Sequence, residues 1–135
     1  MKSINAGLKV KNNRKNGKRY EGELVKLLRG VGIAARLGRS NEEGDVILSS
    51  HNLIIECKST SLNDRFRISK NPDQFWRLKA IQYLGTEVWY AIRYKGKGIL
   101  GWRFFRIPER VCTLYRDEGF SLQEFLLLQE MRMGK

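Results

Sequence analysis

Residues 45–59 read DVILSSHNLIIECKS. Two apolar runs flank a short polar stretch, and the second ends in a carboxylate, a thiol and an ammonium. Short apolar, β-branched runs around a polar turn predict a β-hairpin. With the turn centred on Ser50 and His51, Asp45 stands opposite Glu56, to within a residue of register. Side chains alternate along a strand, so Ile54, Glu56 and Lys58 share one face, and Leu53, Ile55 and Cys57 the other. Two carboxylates about 5 Å apart repel by roughly 3 kcal/mol at an effective dielectric near 20. Such charges are tolerated when paired or when they hold a metal. Two readings stay open. Lys58 and nearby arginines could neutralise the acids in a salt-bridged strand end. Alternatively, Asp45 and Glu56 hold a hard divalent ion such as Mg²⁺, with Lys58 beside it to orient water or stabilise a charged transition state.

Outward from the hairpin, Tyr20, Leu24, Leu27, Leu28 and Val31 follow the spacing of an amphipathic helix, with Gly32 as its expected end. IAARL (33–37) reads as a short strand and RSNEEG (39–44) as a polar loop. After the hairpin comes a basic loop, 59–71, with a short extended piece at FRIS. Asn71-Pro72 suits a helix start. The helix that follows, PDQFWRLKAIQYL, is apolar around much of its circumference, as expected if it covers its own core and also a second subunit. EVWYAIRY and ILGWRFFRI are strands joined by KGKG, and Ser121 with Glu124 forms a capping box for a last helix, with Phe120 and Phe125 as its staple. The expected fold is one α/β domain in the order α-β-β-β-α-β-β-α, with helices flanking a central mixed five-stranded sheet.

Charge points to the partner. Lys and Arg number 26 against 14 Asp and Glu, for a net charge of +12. That excess favours a polyanion, nucleic acid before membrane. Residues 1–18 form an expected flexible basic arm, since residues 1–19 carry seven Lys or Arg and no acid. Cys57 and Cys112 lack metal-ligand spacing, and His51 is the single histidine, which argues against a zinc site or a histidine-based triad. No signal peptide or spanning run is evident, so a cytoplasmic protein is expected. Trp76, Trp89, Trp102, Phe104 and Phe105 read as core or subunit contacts before base-stacking platforms.

Glu in a first helix, then Asp, then Glu-x-Lys at a strand end resembles the PD-(D/E)xK nuclease superfamily. In detail the chain is similar to the archaeal-type Holliday junction resolvases, which have members in viruses and phages. The residues carrying the likeness are Gly17, Glu21, Gly32-Ile33, Arg36, Ser40, Asp45 and Glu56-Cys57-Lys58. The resemblance implies a restriction-endonuclease-like fold over residues 19–135 and Mg²⁺-dependent hydrolysis of phosphodiesters in four-way DNA, giving 5′-phosphate ends, with Mn²⁺ able to substitute. It makes Glu21 a third metal-side carboxylate, although helical geometry alone leaves Glu21 and Glu23 equivalent at the two edges of the apolar stripe. It places Arg36 and Ser40 near the scissile phosphate, where they otherwise read as an edge-strand charge and a loop hydroxyl, and makes Gln74 a weaker member of that set. Paired nicks imply a symmetric homodimer, with residues 72–84 and the aromatic strand near 99–105 as its expected interface. Lys15, Lys18, Arg19, Arg65, Arg67 and Lys70 are expected to contact DNA phosphates. The chain departs from the family pattern in one place: Gly44 replaces the proline before the aspartate, so the loop is expected to order only on DNA, with Glu42 and Glu43 solvated. The rival readings are another nuclease of the superfamily and a non-catalytic basic DNA-binding protein.

Overall fold

The computed structural model describes residues 20–68, 72–96 and 101–134. The basic arm, Lys15, Lys18, Arg19, Lys70 and the Asn71 cap lie outside the described residues. Helix α1 covers residues 20–30. It is followed by β1 (Arg36–Leu37), β2 (Val46–Leu48), β3 (Leu53–Ser59), β4 (Arg65–Arg67), α2 (Pro72–Tyr83), β5 (Glu87–Arg93), β6 (Trp102–Arg106), β7 (Thr113–Tyr115) and α3 (Leu122–Arg132).

The main sheet has the order β1-β2-β3-β5-β6. Its β3–β5 pair is parallel and every other pair antiparallel, so the expected mixed five-stranded sheet is present. A parallel pair requires a crossover, and the segment carrying α2 supplies it. The expected element order omits one feature. β4 and β7 pair antiparallel into a separate two-stranded sheet, whose first strand, Arg65–Arg67, overlaps the start of the extended FRIS piece.

The hairpin register is the one read from the sequence: Val46 pairs with Ile55, Ile47 with Ile54 and Leu48 with Leu53. A 3₁₀ turn over Ser49–His51 closes it. Alternation then divides the core. Leu53 and Ile55 pack with Leu24 and Leu28 of α1, Trp89 and Ala91 of β5, and Leu122 and Phe125 of α3. Ile54 packs with Phe75 and Leu78 of α2, Tyr90 of β5, Ile68 just after β4 and Leu114 of β7. Both faces of β3 and β5 are therefore covered, as their near-continuous apolar sequences require.

The capping box of α3 is formed, with the Glu124 N–H donating to the Ser121 hydroxyl and the Ser121 N–H to the Glu124 carboxylate. Phe125 stacks on Phe104 at 4.6 Å and meets Trp89 edge-on at 4.9 Å. These contacts correct the expected interface. Trp102, Phe104 and Phe105 are buried inside their own chain and cannot also cover a partner, whereas Trp76, Tyr83 and Leu84 stay exposed on and just beyond α2. Val31, assigned to the apolar stripe of α1, is likewise exposed, because the helix ends before it. No helix among the described residues is long and apolar enough to cross a membrane.

Candidate active site

The end of β3 carries the site. Among the described residues Glu56 is the one charged side chain in the buried core, at 4% exposure, on the face that packs against α2. Asp45, just before the first hairpin pair Val46–Ile55, brings its carboxyl into direct interaction with that of Glu56. Asp45 is fixed by two backbone contacts: its N–H donates to the Ile55 carbonyl at 2.9 Å, and its Oδ2 accepts from the Cys57 N–H at 2.8 Å. Two more groups converge on Glu56 Oε2. Gln74 of α2 donates its amide N–H at 2.7 Å, and the Lys58 ammonium lies 3.5 Å away. α2 thus reaches the site through a residue one position before the buried Phe75, which anchors the helix to the sheet.

Electrostatics follow from this crowding. Burial, and then the charge of Asp45, push the Glu56 carboxyl up to about 8, against the opposing pull of Lys58. A carboxyl held neutral by a second carboxylate is the response expected where two acids share a small space. The Cys57 thiol is raised by burial and by the charges of Asp45, Glu21 and Glu56, so Glu21 at the start of α1 lies within electrostatic reach of the strand end. Tyr90, beside Glu56 in the β3–β5 ladder, has its phenol pushed up by burial and by Glu56. It forms an apolar wall with no signal in the sequence. Among the described residues no group of three or more His, Cys, Asp or Glu side chains is placed to hold a metal ion. The donor chemistry present is an acid pair, which suits a hard cation that keeps several waters and takes its remaining oxygens from a substrate phosphate.

Arg36 and Ser40 lie on the approach to Asp45. Arg36 pairs with Ile47 at the sheet edge, and its guanidinium grips both oxygens of Glu42 at 2.8 Å. Ser40 is exposed in the loop. Contacts within the chain hold that loop. Its neck is closed by the Gly38 N–H donating to the Asp45 carbonyl at 2.8 Å, and Arg77 of α2 ties down Glu43 at 3.0 Å. Gly44 has φ +93°, a conformation proline cannot take, so the loop holds its shape by a left-handed glycine and two ion pairs in place of a stiff ring. Arg65 and Arg67 are exposed on β4, Arg65 beside Asp64 at 3.2 Å.

A family model described as archaeal Holliday junction resolvase (Hjc) matches residues 12–128. The chain belongs to the archaeal Holliday junction resolvase family. It is a nuclease of the junction-resolving kind. Among solved structures, Hjc from Archaeoglobus fulgidus, a Holliday junction resolvase of a hyperthermophilic archaeon, aligns with TM-score 0.63 and 20% identity over 82% of this chain and 94% of its own. That likeness establishes the fold. A search of curated proteins finds no match.

Proposed function

We propose that the protein is a Mg²⁺-dependent endonuclease that resolves four-way DNA junctions by paired, symmetric nicks. The observation carrying this reading is the Asp45–Glu56 acid pair, with Lys58 3.5 Å from the buried Glu56, at the strand end of a resolvase-family fold. Asp45 and Glu56 would hold the divalent ion, and Glu21 would complete or support its site. The ion supplies Lewis acidity and a lowered pKa for water at this place. Gln74 fixes the Glu56 carboxylate, and metal loading must expel the proton that burial favours there. Lys58 orients the attacking water and stabilises negative charge gathering on the phosphoryl oxygens. Arg36 and Ser40 contact the scissile phosphate. Water attacks in line, the 3′ oxygen leaves, and a 5′-phosphate remains.

One chain carries one such site, and paired nicks require two. A homodimer with two-fold symmetry supplies them, and the exposed Trp76, Tyr83 and Leu84 suit its contact surface. Lys15, Lys18, Arg19, Arg65, Arg67 and Lys70 contribute phosphate contacts, and a DNA-directed enzyme of this kind acts in the cytoplasm. The ends of the products test the chemistry. DNA ligase should reseal the nicks directly, which requires a 5′-phosphate beside a 3′-hydroxyl, and nicking should need Mg²⁺ or Mn²⁺. Unligatable nicks, or undiminished cutting in a chelator, would refute the mechanism.

A further inference from the structure

Glu42 and Glu43 sit in the loop leading into Asp45, where acids oppose the approach of DNA, and the proposed reaction uses neither. Their partners differ. Three donors converge on Glu42: Arg36 Nη1 and Nη2 reach its two oxygens, and the Arg39 backbone N–H reaches Oε1, each at 2.8 Å. A guanidinium fork with an added backbone N–H matches a phosphate as well as it matches a carboxylate. The pair is partly exposed, with side chains 39% and 30% accessible, so a large polyanion can reach it. Glu43, the next residue, turns to Arg77 instead.

We propose that Glu42 is an internal stand-in for a DNA phosphate: its carboxylate fills the anion cradle of Arg36 and the Arg39 N–H in the free protein, and a backbone phosphate displaces it when the junction binds. The proposal rests on the nuclease reading of the same site and adds a phosphate-for-carboxylate exchange as the step that admits substrate. The exchange breaks an exposed ion pair, worth up to about fivefold in an equilibrium constant. Removing the Glu42 carboxylate should tighten DNA binding by about that factor, and only while Arg36 is present.

The test measures the affinity of the full chain for a synthetic four-way junction without divalent metal. Wild type is compared with Glu42→Gln, Glu42→Ala, Glu43→Gln, Arg36→Ala and the double variant Arg36→Ala/Glu42→Gln. The exchange predicts about threefold to fivefold tighter binding for both Glu42 variants, a smaller gain for Glu43→Gln, and no gain from Glu42→Gln once Arg36 is gone. An equal gain from Glu43→Gln would mean that any lost negative charge suffices, and would overturn the exchange. So would a gain that persists without Arg36, or no gain at all. Wild type that fails to bind junction DNA would instead overturn the nuclease reading beneath it.

Discussion

At Glu56 the folded chain holds a proton that the unfolded chain gives up. Its carboxyl titrates at about 8 when burial and Asp45 act on it, against an ordinary value of 4.5. Between those values the native state binds more protons than the unfolded state, so stability falls as pH rises. The contribution is complete below the unfolded value and lost on passing the folded one. At about 1.4 kcal/mol per pH unit, it amounts to a few kcal/mol. Urea unfolding of the metal-free protein should therefore show lower stability at pH 8 than at pH 5, and Glu56→Gln should flatten that difference. An unchanged slope in the variant would place the proton elsewhere. Gln74 acts at the same carboxylate. Replacing it with Leu should lower metal affinity or cleavage by about 10–100-fold, the usual range for residues that orient metal ligands, and nicking rates at titrated Mg²⁺ would show it. The acid pair and Lys58 were legible because alternation and hairpin register place side chains by counting. Tyr90 was not, because its place beside Glu56 depends on a parallel pairing with a strand 34 residues further along.

At the scale of elements, the loop 38–45 is where sequence reasoning and structure part. A missing proline suggested a loop without its own shape, yet Gly44 at φ +93° provides a conformation that proline would forbid. A Cβ at Gly44 would lie 3.0 Å from the Ile54 Cβ, and one at Gly38 would lie 2.1 Å from the Gly44 carbonyl oxygen. Gly44→Ala should therefore destabilise the fold by about 1–3 kcal/mol through backbone strain, measurable as a lower urea midpoint at unchanged slope. A variant as stable as wild type would show that the loop is free to rearrange. The ion pairs of Glu42 and Glu43 are not legible in the sequence, because Arg36 and Arg77 reach them through the fold, and two acids in a polar loop read as solvated charges. The β4–β7 sheet is only half legible for a related reason. Its three-residue strands are too short to show a period, and only their pairing makes them strands.

At the scale of the molecule, the order of helices and strands and the mixed five-stranded sheet were readable, because apolar periodicity switches clearly between helix and strand along most of the chain. Which aromatics stay free for a subunit contact was only half readable. The sequence shows which aromatics are numerous, and packing decides that Trp102, Phe104 and Phe105 are spent inside while Trp76, at 56% exposure, Tyr83, at 91%, and Leu84, at 84%, remain outside. Charged substitutions there, such as Trp76→Glu with Tyr83→Glu, should shift sedimentation from dimer towards monomer and turn paired nicks into single ones. A dimer that survives both substitutions would move the interface off α2. Phosphate contacts should also make junction affinity fall steeply with salt.

The most direct measurement is nicking of a synthetic four-way junction, each arm labelled separately, with and without Mg²⁺. A linear duplex of the same sequence and the Asp45→Asn variant serve as controls. The predicted result is paired, symmetric nicks on the junction alone, dependent on Mg²⁺ and lost in Asp45→Asn while junction binding remains. Equal cutting of the linear duplex would contradict junction specificity, and metal-dependent nicking that survives Asp45→Asn would contradict the site itself.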